Sequence, residues 1–134
     1  MNGKIVHINP NGLMKTSTSS QVIITRGNGA TIYIGGQNSV DSEGAVIGKG
    51  NIHIQTTQTM YNVGVALSAC GASFNHIVKL NVYTVEGHDA SIAFAAALNV
   101  IDFAYPPTIT ALTVSGLRNP DYLIEIDAVV FLPE

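Results

Sequence analysis

The stretch "YLIEIDAVVFL", residues 122–132, decides the fold, because it has the alternation of a strand with one buried face. One face of this strand would carry only apolar side chains: Ile124, Ile126, Ala128 and Val130. Glu125 and Asp127 fall in line on the other face. Two carboxylates in line have two explanations, a solvated sheet face or a polar site, and the sequence leaves both open.

The segments that precede this strand predict further strands. Alternating and β-branched residues place them at 21–25, 30–36, 45–48, 76–85 and 108–116. The glycines of "RGNG" (26–29) predict a hairpin between the first two strands, and "LRNPD" (117–121) predicts a turn that joins the last two. Residues 1–20 are polar and predict an extended, irregular N-terminal segment of a single domain that spans 1–134.

The segment 51–70 predicts the first helix. Its apolar residues recur at three- and four-residue steps: Met60, Val63, Leu67 and Cys70. Asn51 is the expected N-cap, and Gly71 is the expected left-handed residue after the helix. Because Cys70 lies on the apolar stripe, we expect it to be buried as a small hydrophobic residue.

The alanine-rich segment 87–102 predicts a second helix, which Asp89 would cap and a proline pair would follow. The order βββ-α-β-α-ββ then predicts an α+β fold with one mixed sheet, since strands joined through helices run parallel and hairpin strands antiparallel. Both helices pack most simply on one face of this sheet. The other face then needs a cover, which indicates self-association.

Composition agrees with self-association and narrows the partners. Only 11% of the 134 residues are charged and 46% are apolar, against about 25% charged in an average soluble domain, so part of the surface is expected to lie under another subunit. The net charge of −3, with six scattered Lys and Arg, predicts no nucleic-acid binding. No apolar run approaches the roughly 18 residues of a membrane span, and the single cysteine forms no internal disulfide, so a soluble cytoplasmic protein is expected.

Other motifs point to little chemistry. "GAVIGKG" (44–50) is one residue short of phosphate-loop spacing and is better explained as a plain glycine-rich loop. The four histidines lie far apart without metal-ligand spacing, so no metal site is predicted. "GGQ" (35–37) fits a turn or bulge and, equally well, a close approach of the backbone to a ligand.

Seven segments, taken in order, resemble the Rid proteins, the YjgF-type reactive-intermediate deaminases. They are "INPNG", "SSQV", "TIYIGGQ", "IHIQTTQTMYNVGVALSACGAS", "IVKLNVYTV", "YPPT" and "IEIDAV". The resemblance implies a chorismate-mutase-like α+β fold and a homotrimer with small-molecule clefts between its subunits. It also implies hydrolysis of enamines or imines, with no metal or organic cofactor.

The resemblance implies roles for particular residues. Glu125 matches the family's cleft glutamate, which positions the attacking water, and Gly36 matches its cleft glycine. Thr108 stands where the deaminating subgroup has an arginine that grips the substrate carboxylate. Thr110 matches a small polar residue of the same strand, and both threonines lie on one strand face. These four residues would line the cleft.

The chain also departs from the subgroup's pattern. Ser19 and Ser91 are the nearest matches to a tyrosine and an asparagine of that subgroup. Thr108 cannot make the bidentate contact of an arginine, and loss of such a pair typically costs about 2–5 kcal/mol, so 2-imino acids should be poor substrates. Three functions stay open: a divergent enamine or imine hydrolase with Glu125 orienting water, a non-catalytic binder of a small metabolite, and a nuclease, which the acidic charge disfavours.

Overall fold

The computed structural model describes residues 1–101 and 105–134 of the chain. Its elements are β1 (Lys4–Ile8), β2 (Val22–Arg26), β3 (Gly29–Gln37), α1 (Ile52–Ala69), a 3₁₀ turn (Phe74–His76), β4 (Ile77–Val85), α2 (Ala90–Val100), β5 (Thr108–Val114) and β6 (Ile124–Pro133). Both predicted helices are present. The second helix ends at Val100, earlier than predicted, because Ile101 is its C-cap with an extended backbone, and Asp102 lies outside the described residues.

Four strands form one mixed sheet in the order β3-β6-β4-β5. β6 is antiparallel to both of its neighbours, β3 and β4, and β5 runs parallel to β4. The strands on either side of each helix therefore point the same way, as predicted, because each crossover returns the chain to its starting end. The α+β fold class with two helices on a mixed sheet is confirmed.

The N-terminal part of the prediction is wrong in two places. Residues 4–8 form β1, which pairs with β2 in a separate two-stranded sheet, so β2 and β3 make no hairpin. The turn between β2 and β3 contains Gly27 at φ +77, and a Cβ there would lie 2.4 Å from the Asn2 carbonyl oxygen. β1 therefore has the pairing with β2 that the predicted hairpin had assigned to β3.

Two further predictions about strands are corrected. The segment 45–48 is not a strand, and its pairing is one isolated bridge between Val40 and Val46. β5 and β6 do not form a hairpin, because β4 lies between them. The apolar face of β6 agrees with its central position in the sheet. β3 and β4 flank the strand and helix α1 packs on it, so that Ile126 and Val130 are fully buried.

The core lies between the sheet and the helices. The α1 residues Met60, Val63 and Leu67 are buried against the apolar face of β6. Ala93 of α2 joins the same cluster, and α2 also covers β4 and β5 across a small apolar cavity of about 60 Å³. Both helices therefore pack on one face, as predicted, and no helix covers the other face in the described residues.

Helix ends follow the predicted chemistry, with one exception. Asn51 accepts a hydrogen bond from the Ile54 N–H, and Asp89 accepts one from the Ser91 N–H, so both N-caps are confirmed. Gly71 adopts φ +72 after α1, as expected. Cys70, however, is exposed rather than buried, because α1 ends at Ala69 and the Cys70 N–H closes the last turn.

Candidate functional site

The sheet face opposite the helices collects the polar side chains of three neighbouring strands. Pairing between β4 and β6 aligns Tyr83 with Glu125 and Asn81 with Asp127. Pairing between β4 and β5 then aligns Thr110 with Asn81. Paired residues point to the same side of a sheet. Three hydroxyls, an amide, an ammonium and two carboxylates therefore share what we call the open face: Lys79, Asn81, Tyr83, Thr108, Thr110, Glu125 and Asp127.

Glu125 is held at the edge of the open face by a β-bulge. The register of β3 against β6 shifts between Ile34 and Gln37, which places Gly36 beside the Glu125 side chain. A Cβ on Gly36 would lie 2.7 Å from Oε2 of Glu125 and 2.8 Å from its Cδ. The bulge expected at "GGQ" is therefore present, and Gly36 also lets the Glu125 carboxylate approach the backbone closely.

Asn38 binds the other carboxylate oxygen. Its Nδ2 donates to Oε1 of Glu125 at 3.3 Å and to the Ile124 carbonyl oxygen at 3.0 Å. The backbone carbonyl oxygen of Asn38 accepts a hydrogen bond from Nδ2 of Asn62 at 2.9 Å, and Nε2 of Gln58 donates to Oδ1 of Asn62 at 3.0 Å. Two amide side chains of helix α1 thus hold the backbone of Asn38, whose own side chain contacts the Glu125 carboxylate.

Asp127 has its own partners in the next row of the sheet. Asn81 donates to Oδ1 of Asp127 at 2.8 Å. The negative charge of Asp127 is also the main reason that the pKa of Tyr83 is raised above 10.0, with smaller contributions from burial and from Glu125. Tyr83 therefore stays a neutral hydroxyl that can donate or accept a hydrogen bond beside the two acids.

Both threonines of β5 lie on the open face, but across β4 from Glu125. Thr108 donates its hydroxyl hydrogen to the Val78 carbonyl oxygen at 2.6 Å. The Lys79 ammonium donates to Oγ1 of Thr110 at 2.6 Å. A single chain thus presents the threonines and Glu125 on one surface, two strands apart.

Ser19 and Ser91 lie away from Glu125 within the single chain. Ser91 is at the start of α2, on the helix side of the sheet, where its hydroxyl donates to Asp89 at 2.6 Å and lowers the pKa of that carboxyl. Ser19 precedes β2 and is half-buried. Its neighbour Ser20 is the better-anchored residue, since it donates to the Pro106 carbonyl oxygen at 2.6 Å and contacts Nδ1 of His7 at 2.9 Å.

Sequence reasoning missed four residues of this site, three on the open face and one beside Glu125. Three of them, Lys79, Asn81 and Tyr83, are polar at every second position of β4, a signal that the sequence itself contains. Asn38 gave no such signal, because its contact with Glu125 depends on the bulge in β3. In the described ranges, 1–101 and 105–134, no group of three or more His, Cys, Asp or Glu side chains is arranged to bind a metal.

The fold and the open face together define an α+β protein whose helices cover one side of a mixed sheet, while the other side carries two acids. The model of the endoribonuclease L-PSP family matches residues 15–132. The chain therefore belongs to this family, that of the Rid and YjgF proteins, and the resemblance seen in the sequence is confirmed. No helix in the described part of the chain has the length and apolar character to cross a membrane.

Individual relatives cover most of the chain. A RutC family protein of Pyrococcus horikoshii is 34% identical over 107 residues, which are 77% of this chain and 80% of that protein. The crystal structure of a Rid-family protein of unknown function, YyfB from Yersinia pestis, superposes with a TM-score of 0.84 at 26% identity and covers 98% of this chain and 100% of that one. A mouse 2-iminobutanoate/2-iminopropanoate deaminase is 34% identical over 59 residues, 44% of each chain.

Proposed function

We propose that three copies of this chain associate through their open faces and hydrolyse enamine or imine metabolites in the clefts between subunits. The open face supports this assembly, because it carries exposed apolar side chains such as Tyr33 and Leu112 beside its polar groups. The low charged fraction of 11% points the same way. An exposed free thiol at Cys70 fits a reducing compartment such as the cytoplasm.

The observation that carries the proposal is the fixed position of the Glu125 carboxylate. Gly36 lies against one side of it, and Asn38 donates to one of its oxygens. A carboxylate held in this way can orient a water molecule and take its proton as the water adds to the carbon of a C=N bond. Transfer of protons to the nitrogen then lets ammonia leave and gives a carbonyl product. An enamine enters the same path after protonation at carbon to its imine.

Hydrolysis of a C=N bond consumes only water, so the proposed reaction uses no metal and no organic cofactor. The relatives support the reaction class, since the mouse relative is named as a deaminase of 2-imino acids. An endoribonuclease activity, as the family description names it, fits this chain less well than imine hydrolysis. Two acids lie on the open face and the net charge is −3, and both would repel the phosphates of RNA.

The test is ammonia release from imines that flavin amine oxidases generate in situ, which have no carboxylate on the C=N carbon, followed with wild type, Glu125→Gln and Glu86→Gln. Glu86 follows β4 and lies outside the open face, so its variant is the matched control. We expect the Glu125 variant to lose at least about a hundredfold in rate and the control to keep it. Equal rates for all three proteins would overturn the proposed role of Glu125.

The alternative is a trimer that binds a small metabolite without converting it. It is favoured by Thr108, whose hydroxyl is engaged with the Val78 carbonyl at the position where the resembling subgroup has its arginine. Saturable binding of a 2-oxo acid, seen as chemical-shift changes in the Asn38 and Asn81 side-chain amides, together with no ammonia release from any imine, would establish this alternative.

A further inference from the structure

Lys79 is the one basic residue in the four strands of the main sheet, and it lies on the open face. Its ammonium donates to Oγ1 of Thr110 at 2.6 Å. Within the described residues Lys79 forms no salt bridge, whereas Lys49 has a carboxylate partner, Asp121, at 3.6 Å. An ammonium that is positioned by a hydroxyl but not neutralised by an acid is a suitable anion-binding group.

On the open face, the Glu125 carboxylate is separated from Thr110, the residue that holds the Lys79 ammonium. Glu125 pairs with Tyr83 in one row, and Thr110 pairs with Asn81 in the row two residues along, on the far side of β4. At about 3.3 Å per residue and about 4.8 Å between strands, the Cα atoms of Glu125 and Thr110 are roughly 12 Å apart. A bound molecule that contacts both residues therefore has to bridge two strand spacings and two residues of rise.

We propose that Lys79 and Thr110 form an anion subsite that binds a carboxylate remote from the C=N group of the substrate. This inference rests on the proposed function and names its substrate class: imines or enamines with a carbon chain between the reacting carbon and a terminal carboxylate. A carboxylate bonded directly to the C=N carbon, as in a 2-imino acid, is too close to span the two groups. A substrate whose remote carboxylate binds Lys79 and Thr110 does not need an arginine at position 108.

A pair of substrates isolates the remote carboxylate. Oxidation of glutamate gives an imine with a distal carboxylate, and oxidation of leucine gives one with an isobutyl group in place of the carboxyethyl group. Both imines also have a carboxylate on the C=N carbon, so the distal carboxylate is what distinguishes them. We expect a lower KM for the glutamate-derived imine. Lys79→Met should raise that KM by about ten- to a hundredfold, the range for loss of a charged hydrogen bond, and leave the leucine-derived imine unchanged. Lys79→Arg should retain most of the preference.

Lys49→Met is the matched control, because it removes a lysine that lies outside the open face and is paired with Asp121. Binding of glutarate, a stable dicarboxylate, gives a readout that does not depend on turnover. Wild type and Lys49→Met should bind it, and Lys79→Met should bind it at least tenfold more weakly. Trimer formation and circular dichroism show whether each variant folds.

The outcomes separate this inference from the proposed function. No ammonia release from either imine, with Lys79-dependent binding of glutarate, overturns the hydrolase and supports the subsite. Turnover of both imines that Lys79→Met leaves unchanged overturns the subsite and supports the hydrolase. Equal glutarate binding by wild type and Lys79→Met, or none by wild type, also overturns the subsite.

Discussion

The Glu125 carboxylate lies directly against the backbone of Gly36, so that a methyl group on this glycine would be 2.7 Å from Oε2. The contact joins two strands, since Gly36 is in the bulge of β3 and Glu125 is in β6. Gly36 and Glu125 are far apart in the sequence, and no local pattern around either residue predicts their contact. Together they fix a carboxylate at the edge of a face that no helix covers in the described residues.

Gly36→Ala tests this contact. The added Cβ should push the carboxyl group away, and a displacement near 1 Å typically costs on the order of a hundredfold in rate. Gly35→Ala is the matched control, because a Cβ at Gly35 meets no atom within 4 Å among the described residues. We expect ammonia release to fall with the first variant and to persist with the second. Similar rates for both would show that the position of the carboxylate is not set by Gly36.

Asn38→Ala removes the amide that donates to Glu125. A hydrogen bond to a charged group contributes about 1.5–3 kcal/mol, and its length of 3.3 Å places this one at the lower end. We therefore expect kcat to fall roughly tenfold, with KM little changed, because the carboxylate would be present but less well oriented. An Asn38→Ala variant that changes only KM would assign this amide to substrate binding instead.

Thr108→Arg should increase turnover of 2-imino acids. The guanidinium would project from the open face beside Lys79, its register partner on β4, and could make the bidentate carboxylate contact that a threonine cannot make. We expect kcat/KM for 2-iminopropanoate to rise by roughly tenfold or more. The same substitution at Thr113, on the opposite side of β5, is the control. A folded trimer without any gain would count against position 108 lining the cleft.

Tyr83 should show the electrostatic influence of the two acids. Asp127 raises the pKa of the Tyr83 phenol above 10.0 in the folded protein, so the neutral form is favoured and stability falls as the pH rises from about 10.0 through the folded-state pKa. Asp127→Asn should bring the phenol's pKa back down. Ultraviolet absorbance titration, with Tyr83→Phe subtracted to isolate this tyrosine, measures the phenol's pKa, and urea denaturation below and above pH 10.0 measures the change in stability. An unchanged curve in the Asp127 variant would contradict the assignment.

Helix α1 offers a test of stability that is independent of function. Among the described residues, the buried Thr59 hydroxyl has no hydrogen-bond partner, whereas Thr56 donates to the Ile52 carbonyl at 2.8 Å. Thr59→Val should raise the free energy of unfolding by about 1 kcal/mol, since it removes an unsatisfied buried group. Thr56→Val should lower it or leave it unchanged. Urea denaturation distinguishes the two, and destabilisation by Thr59→Val would indicate a partner for that hydroxyl.

Strand and helix types were largely predictable from local patterns. The alternation of β6, the stripe of α1 and the caps at Asn51 and Asp89 all depend on residues close together in the chain, and the structure confirms them. The neighbours of each strand were not predictable. The turn "RGNG" is compatible with a hairpin between β2 and β3, yet β2 pairs with β1 instead. Pairing depends on competition between distant segments, which a local pattern does not record.

The sequence by itself determined an α+β chain of the Rid family with two acids in line on its last strand, because periodicity and the order of its motifs are properties of the chain alone. Only the tertiary structure decided that Glu125 faces Gly36 and Asn38, and that Lys79 and Thr110 lie together across β4. The physical reason is register: one bulge in β3 and the insertion of β6 between β3 and β4 set which side chains meet, and both depend on contacts between residues far apart in sequence.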